Sequence, residues 1–215
     1  MNAEFIITEP HVRHNTGKNN EWYTPKYIID AARKTMGSID LDPASSEIAN
    51  KTVQASTYYT KEDDGLSKPW FGNIWLNPPY SKELILKFVL AVKNKRAEYD
   101  QAIILVNNAT ETRWFQELLS VASAICFVDR RIKFLDINGK PGSPLQGQAI
   151  LYVGSQHSKF VVNFSQYGEC RIKCDLIFDL NTASENYIEN FREQFLFNIK
   201  NQGYYAIGHR NWKIR

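Results

Sequence analysis

The segment QAIILVNN (residues 101–108) constrains the fold most strongly, because its apolar side chains follow one another without alternation. A strand with this pattern is buried on both faces, as in parallel sheets that are covered by helices. A predicted helix flanks it on each side, at residues 81–92, where Ser81 is the capping residue, and at residues 111–122. The chain is therefore expected to have an α/β fold that buries this strand.

Further elements follow from the same rules. Helices are expected at residues 24–37, where Thr24 is a good N-cap and Pro25 suits the first turn, and at residues 184–201. Strands are predicted at residues 38–42, 53–60, 72–76, 124–129, 131–136, 147–154, 159–164 and 170–180. No helix is predicted between Asp129 and the last one, and residues 131–136 and 147–154 are expected to form a hairpin. This order predicts a doubly wound, mostly parallel α/β sheet with an antiparallel C-terminal hairpin.

The composition is that of an ordinary globular protein, with 43% hydrophobic and 23% charged residues in a chain of 215. A chain of this length predicts one compact domain. Residues 1–20 are polar and unpatterned, and we expect them to form a flexible N-terminal arm. Residues 21–215 are expected to form the single domain, in which residues 155–215 are a C-terminal extension whose role the sequence does not define.

Several classes of protein are disfavoured by the sequence. No apolar run approaches the ~20 residues of a membrane span, and the acidic residue near the N-terminus is unlike a secretory signal. The three cysteines (Cys126, Cys170 and Cys174) are irregularly spaced, and no histidine pair accompanies them, so reduced thiols are expected rather than a metal site. The sequence predicts a cytoplasmic protein with no membrane or metal partner.

Two unusual loops stand at the carboxyl ends of predicted strands. They are DLDPAS, at residues 40–45, and NPPY, at residues 77–80. In doubly wound sheets, ligands bind in the crevice beyond the carboxyl ends of the strands. Both loops are therefore expected to open on the same crevice.

The NPPY loop suits the alkylation of an exocyclic amino group on a nucleobase. Such a nitrogen is a poor nucleophile, because its lone pair is delocalised into the ring. The side-chain oxygen of Asn77 and the carbonyl of Pro78, held still by Pro79, can accept its two N–H bonds and pull it toward tetrahedral geometry. The ring of Tyr80 can lie against the base, which must leave the duplex to be reached. A simpler interpretation is that the two prolines only end a strand and that Tyr80 belongs to the core.

NPPY matches the catalytic [Asp/Asn/Ser]-Pro-Pro-[Tyr/Phe/Trp] motif of amino-methyltransferases, and the chain more closely resembles the phage and prophage DNA adenine-N6 methyltransferases. The resemblance runs in the family's order through NEWYTP (20–25), DLDPAS (40–45), YYTKEDDGL (58–66), Trp70, NIWLNPPYS (73–81), ETRWF (111–115) and RRIKFLDINGKPGSP (130–144). It implies a Rossmann-like methyltransferase sheet, S-adenosylmethionine as methyl donor and double-stranded DNA as partner. It further implies site-specific methylation of adenine N6 by a phage or prophage product in the cytoplasm of a bacterial host.

The resemblance also implies roles for individual residues. Trp22, Tyr23, Thr24 and Pro25 match the segment that closes over the methionine part of the cofactor. Asp42, Pro43 and Ala44 match the loop that holds its charged amino end, where an anionic side chain suits an ammonium. Asp63 or Asp64 matches the acidic position near the adenosine, and Asp64 is preferred. Many methyltransferases have a glycine-rich first loop, whereas DLDPASSE contains no glycine.

Contact with DNA is expected from basic side chains outside the catalytic loop. The candidates are Arg130, Arg131, Lys133 and Lys140 around the Gly/Pro-rich loop 137–145, together with Arg113 on the predicted helix 111–122. Clusters of this kind are also common on solvated surfaces, and the net charge of +3 is too small to decide between the two interpretations.

Two other functions compete with DNA methylation. A protein-glutamine N5-methyltransferase faces the same chemical problem at a side-chain amide and also uses NPPY. Those enzymes usually carry a glycine-rich cofactor loop and a separate N-terminal helical domain, and neither is found here. The other candidate is a DNA-binding relative that has kept the fold and lost turnover, although the intact Asn-Pro-Pro-Tyr argues against it.

Overall fold

The computed structural model describes residues 22–142 and 146–173, apart from the side chain of Lys82. The helices in this part of the chain are α1 (Lys26–Met36), α2 (Glu47–Val53), α3 (Lys82–Asn94), α4 (Arg113–Val121) and α5 (His157–Phe164). The strands are β1 (Leu41–Asp42), β2 (Thr57–Tyr58), β3 (Asn73–Leu76), β4 (Gln101–Asn107), β5 (Ala124–Val128), β6 (Gln148–Val153) and β7 (Gly168–Ile172). The chain therefore has a mixed α/β fold.

The seven strands form one sheet in the order β2-β1-β3-β4-β6-β5-β7. The pairs β1–β2, β1–β3 and β3–β4 are parallel. The pairs β4–β6, β5–β6 and β5–β7 are antiparallel. Consequently β1 to β5 all run in one direction, and only β6 and β7 oppose them. The carboxyl ends of β1 to β5 lie along one side of the sheet, which we call the carboxyl edge.

Helices cover both faces of the sheet, as the continuous apolar run of β4 predicts. Ile104 and Val106 pack on the face occupied by α3 and α4. Ile103 and Leu105 pack on the opposite face, with α1 and α5. Burying a side chain of this size contributes about 1.5–3 kcal/mol, so a strand that is apolar on both faces is stable only between two helical layers.

Several predicted elements are confirmed with small shifts of their boundaries. The strands at 72–76, 101–108 and 124–129 and the helices at 24–37, 81–92 and 111–122 are all present. Pro25, rather than Thr24, occupies the N-cap position of α1. Ser81 does occupy the N-cap position of α3, but its side chain makes no capping hydrogen bond there.

The predicted strand at residues 159–164 is wrong, because this segment forms the helix α5. Phe160 and Phe164 are four residues apart, fully buried, and stacked with ring centroids 4.7 Å apart. Val162 lies between them along the chain and is 62% exposed. The spacing of the two phenylalanines sets the structure, and it outweighs the β propensity of the two valines between them.

The predicted hairpin of residues 131–136 and 147–154 is also wrong. All six residues of β6 are buried, and the strand lies between β4 and β5. Residues 131–134 form no strand, although Ile132 is buried and its backbone N–H donates to Gln148 Oε1 over 3.1 Å. A fully apolar strand needs a neighbour on each side, and a segment that alternates with Arg131 and Lys133 cannot supply one in the centre of a sheet.

The strand predicted at residues 53–60 is shorter than expected, because α2 occupies its beginning. Ser46 caps α2 by accepting a hydrogen bond from Ala49 N, and the helix ends at Gln54, whose φ is 51°. Only Thr57–Tyr58 pairs in the sheet. The predicted arm at 1–20 and helix at 184–201 lie outside the described residues, as does the predicted strand beyond Lys173. Among the described helices, none has the length and apolar character that crossing a membrane requires.

Candidate active site

The two loops singled out in the sequence follow neighbouring strands at the carboxyl edge. Asp42 is the last residue of β1, and Asn77 comes directly after β3. The two strands are paired and parallel, with Leu41 opposite Ile74. The first loop is further fixed to the chain after β2, since Tyr59 N donates to Asp42 O and Ser45 N donates to Tyr59 O. The fold therefore places DPAS and NPPY side by side.

Asn77 has the most unusual hydrogen bonding at this edge. Its Nδ2 donates to the hydroxyl oxygen of Thr24 over 3.4 Å. Its Oδ1 is buried and accepts no hydrogen bond within the described residues. A buried carbonyl oxygen without a donor costs about 1–3 kcal/mol. Such a cost is expected where an acceptor is kept ready for a ligand.

Tyr80 is not a core residue, which contradicts the part of the simpler interpretation that placed it in the core. The side chain is 41% exposed. Its hydroxyl is nevertheless enclosed and donates to the carbonyl of Leu105 over 3.3 Å, and burial raises the pKa of this phenol. Pro78 is buried and Pro79 is exposed. The ring is thus anchored at its tip while part of its surface stays open.

Asp42 is a buried carboxyl group, only 3% exposed. Burial raises its pKa to about 7, and hydrogen bonding in its own loop offsets only part of this effect. Its Oδ1 accepts from Ala44 N over 3.2 Å. Within the described residues, no basic side chain forms a salt bridge with it. The site therefore holds a carboxyl group that a ligand cation would stabilise in its charged form.

Ser45 is a residue that the sequence interpretation missed. Its Oγ is buried and completes no hydrogen bond within the described residues, although it lies close enough to Asp42 to lower the pKa of that carboxyl group. Ser45 belongs to the quoted DLDPAS segment, so its position in the loop was a usable signal. The loop thus presents a hydroxyl beside the buried acid.

Residues 22–25 are held against a short turn at residues 135–141. Tyr23 and Leu135 exchange backbone hydrogen bonds of 2.8 and 2.9 Å. Trp22 packs directly on Gly142, where a Cβ would lie 2.1 Å from the indole ring. Pro25 then begins α1, and Thr24, which is 6% exposed, faces Asn77. The structure thus brings this segment to the NPPY loop.

The two acidic candidates near residue 64 differ in their contacts. The carboxylate of Asp63 accepts two hydrogen bonds of 2.8 Å from Thr60, one from its backbone N and one from its Oγ1. These hydrogen bonds lower the pKa of Asp63. Asp64 adopts a φ of 53°, and its carboxylate takes no hydrogen bond within the described residues. Gly65 packs so tightly on Pro43 that a Cβ would lie 2.0 Å from the Pro43 carbonyl oxygen. The turn containing both acids therefore contacts the DPAS loop.

The predicted DNA-contacting residues are all exposed and lie on segments that follow carboxyl ends of strands. Arg113 begins α4 after β4, whereas Arg130, Arg131 and Lys133 follow β5. Lys140 lies on the turn at 135–141, which Asp136 fixes by accepting from the backbone of Asn138 and Lys140. Arg130 pairs with Asp129 over 2.8 Å.

The cysteines form no recognisable metal site in the described residues. Cys126 is buried, Cys170 is half-buried, and both are free thiols that stand opposite each other on β5 and β7. Cys174 lies outside the described residues. No group of three or more His, Cys, Asp or Glu side chains in this part of the chain could hold a metal ion.

Comparison with known proteins agrees with the resemblance seen in the sequence. A family model described as "DNA N-6-adenine-methyltransferase (Dam)" matches residues 12–156, which is more than half of the chain. A DNA N-6-adenine-methyltransferase of Escherichia phage T1 is 33% identical over 110 residues, which are 50% of this chain and 44% of that protein. The chain thus spans less than half the length of this relative.

The family match includes every loop described above, from Trp22 to the turn at 135–141, and it ends just before α5. The match therefore includes all of the loops at the carboxyl edge. The chain belongs to the DNA N-6-adenine-methyltransferase (Dam) family.

Proposed function

We propose that this protein transfers a methyl group from S-adenosylmethionine to the N6 amino group of adenine at specific sites in DNA. The observation that carries the proposal is the buried Oδ1 of Asn77, which has no hydrogen-bond donor within the described residues. An exocyclic amino group is a donor of the required kind. The family of the chain and the printed name of its phage relative support adenine in DNA as the substrate.

The residues at the carboxyl edge fit the expected cofactor. S-adenosylmethionine carries an ammonium group, and when bound it supplies a methyl group on a positively charged sulfur. Asp42 is a buried carboxyl without a cationic partner among the described residues, and an ammonium would offset the cost of ionising it. Ser45 offers a hydroxyl beside it, and the open carboxylate of Asp64 would serve the adenosine. Trp22, Tyr23, Thr24 and Pro25 would enclose the methionine part, and Pro43 and Ala44 would shape the loop.

Asn77 and Pro78 act on the amine that receives the methyl group. Their carbonyl oxygens accept its two N–H bonds, so that its lone pair leaves conjugation with the ring and becomes nucleophilic. A preorganised acceptor that water does not reach acts more strongly than one in solvent, because nothing must reorient during the reaction. The nitrogen loses one proton as it gains the methyl group, and neither an amide nor a backbone carbonyl retains that proton. We assign its release to solvent.

Thr24 is proposed to set the orientation of the Asn77 amide. Thr24 Oγ1 accepts the hydrogen bond from Asn77 Nδ2, which leaves Asn77 Oδ1 as the atom directed at the substrate. Tyr80 is proposed to stack on the extruded base, since its ring is partly open and its hydroxyl is fixed to Leu105. Together these contacts position the base before any chemistry begins.

We also propose that the sheet is a Rossmann-like methyltransferase sheet and that residues 21–215 act as one domain. Helices on both faces and a site at the carboxyl ends of parallel strands support the former. For a phage-type enzyme that modifies DNA, the place of action is the cytoplasm of the bacterial host.

The proposal is tested by methyl transfer from tritiated S-adenosylmethionine to unmethylated DNA, compared with transfer to bacterial protein. Digestion of the DNA to nucleosides should give labelled N6-methyladenine. Asn77→Ala should lower the single-turnover rate by roughly 10²–10³ while cofactor affinity stays unchanged, because Asn77 serves the acceptor. Asn77→Asp should retain part of the activity, because a carboxylate accepts the same hydrogen bond.

Label in glutamine side chains, with none in DNA, would replace the proposal with a protein methyltransferase. Near-normal turnover by Asn77→Ala would remove the NPPY loop from the chemistry. Tight DNA binding without transfer to any acceptor would identify the protein as an inactive DNA-binding relative.

A further inference from the structure

A cavity lies at the carboxyl end of β5. It measures about 200 Å³. Its floor is apolar and consists of Ile28, Val128 and Ile132. Tyr27 and Tyr167 form its aromatic wall, and Gln166 and Arg130 stand at its polar rim. We call this cavity the tyrosine pocket.

The fold places the tyrosine pocket near the NPPY loop. Tyr27 follows Thr24 by three residues in the first turn of α1, and Thr24 contacts Asn77. Thr24 precedes the helix, and three residues of chain span at most about 11 Å. Val128 ends β5, which runs in the same direction as β1 and β3. The pocket therefore belongs to the same edge of the sheet as the NPPY loop.

The aromatic wall presents a ring to the outside instead of burying it. Tyr27 is 45% exposed, although α1 buries the adjacent Ile28 completely. The rings of Tyr27 and Tyr167 lie 5.5 Å apart at 42°, and the Tyr167 hydroxyl donates to the backbone carbonyl of Tyr27 over 3.2 Å. The second tyrosine thus supports the first from behind, which keeps the open ring in place.

The charges around the pocket favour a neutral planar ligand over an anion. Arg130 gives two hydrogen bonds to Asp129, of 2.8 and 3.3 Å, so an acid stands beside the base at this rim. Gln166 donates one N–H to Asn163 O over 3.0 Å, and its side-chain oxygen, which has no donor among the described residues, can accept from a base edge. Stacking on an aromatic ring binds any base, because every base has a π face.

We propose that the tyrosine pocket receives one unpaired DNA base, next in the strand to the adenine that enters the NPPY site. This inference rests on the proposed function, since it presumes an opened DNA strand at the carboxyl edge. The volume suits a single base, because pockets for larger organic ligands begin at about 300 Å³. The base stacks on Tyr27, and its polar edge meets Gln166.

The test uses binding of a fluorescent 12-nucleotide single-stranded DNA that contains adenine. Tyr27→Ala should weaken binding by about 5- to 150-fold, the range for one stacked base. Tyr27→Phe, which keeps the ring, should restore the affinity to near that of the unchanged protein. Phe71→Ala serves as the matched control, because Phe71 is also 40% exposed but lies before β3, at the opposite edge of the sheet.

Salt dependence separates stacking from phosphate contact. Stacking releases no counterions. Tyr27→Ala should therefore lower the affinity by the same factor at every salt concentration, and the slope of log affinity against log salt concentration should stay unchanged. Photo-crosslinking of the same DNA carrying 5-iodouracil beside the adenine should label Tyr27 or Tyr167. These are the results expected if a base occupies the pocket.

Three outcomes overturn the inference: equal losses in Tyr27→Ala and Phe71→Ala, a changed salt slope in Tyr27→Ala, or crosslinks only at Tyr80. Crosslinking at Tyr80 alone would leave the proposed methyl transfer intact while removing the tyrosine pocket from DNA binding. Conversely, crosslinks at Tyr27 in a protein that transfers no methyl group would support the pocket and contradict the proposed function.

Discussion

The hydrogen bonding of a few side chains carries most of the functional interpretation. Asn77 has one partner for its amide nitrogen and none, among the described residues, for its oxygen. Asp42 is buried without a cation from the described residues. Both arrangements cost stability in the free protein, and the proposed ligands, a substrate amine and a cofactor ammonium, would relieve both costs.

Thr24 gives the first prediction at this scale. Thr24→Val keeps the shape of the side chain and removes the hydroxyl that holds the Asn77 amide. We expect the rate of methyl transfer to fall about tenfold or more, with little change in the KM for DNA, because a misoriented amide presents N–H to the amine. Thr24→Ser restores the hydroxyl and should restore the rate. Equal losses in both variants would show that Thr24 only fills space.

The raised pKa of Asp42 predicts how stability depends on pH. Its pKa is about 7 in the folded chain and lies near 4 in the unfolded chain. Between these values the folded state binds more protons, so the contribution of Asp42 to stability falls as pH rises from 4 to 7. Asp42→Asn removes this effect and keeps the acceptor for Ala44 N. Urea unfolding should show the variant more stable than the unchanged protein above pH 7, by a few kcal/mol, and similar to it near pH 4.

Cofactor binding should show the opposite trend at the same residue. An ammonium pairs with the ionised carboxylate, so affinity for S-adenosylmethionine should increase as pH rises from 5.5 to about 7 and then level off. Asp42→Asn should bind more weakly above pH 7 and lose this dependence. Calorimetry on both proteins over that range measures the effect. Parallel pH curves for the two proteins would assign the ammonium to another group.

Among the elements, the segment at residues 22–25 depends on a turn that is distant in sequence. Trp22 rests on Gly142, and Tyr23 is bonded to Leu135. Gly142→Ala places a methyl group 2.1 Å from the indole ring, so the tryptophan has to move. We expect weaker cofactor binding and a shift in tryptophan fluorescence. Gly147→Ala is the control, because a Cβ there meets nothing within 4 Å, and it should change neither measurement.

The elements also show where sequence patterns suffice and where they do not. The strand at 101–108 is predictable, because its unbroken apolar run fits only a position between two layers of helices. The helix α5 could not be predicted from KFVVNF, because its two valines suggest a strand. The spacing of Phe160 and Phe164 favours a helix only because both rings pack against the sheet, and the sequence does not show that contact. The position of β6 between β4 and β5 is a long-range pairing that no local pattern encodes.

In the candidate site, too, some features could be predicted from the sequence and others could not. Asn77, Tyr80 and Asp42 could be named from their motifs, since prolines and acids at strand ends are unusual. The bond from Asn77 to Thr24 joins residues 53 positions apart, and the tyrosine pocket joins Tyr27 to Tyr167 across 140 positions. Contacts of this kind arise from the packing of whole elements, so they are visible only in the structure.

For the molecule as a whole, the distribution of basic residues predicts how DNA binding responds to salt. Four basic residues lie after β5 and on the turn at 135–141. Replacing them with uncharged residues should reduce the slope of log affinity against log salt concentration by up to ~0.9 for each DNA phosphate contact that is lost. The residues are Arg130, Arg131, Lys133 and Lys140. The control removes the same charge from exposed lysines on helices: Lys34, Lys51, Lys87 and Lys159. A slope altered equally by both sets would indicate general attraction without a defined surface.

The order of the strands has a consequence for synthesis on the ribosome. β5 is made before β6, yet it reaches the sheet only through β6. Until Gln148–Val153 has left the exit tunnel, one edge of the apolar strand β4 is unpaired, and β5 has no neighbouring strand to pair with. Unpaired apolar edges attract other chains. Synthesis from Asn107 to Val153, about 46 codons, is therefore the interval in which we expect the nascent chain to be most open to such contacts.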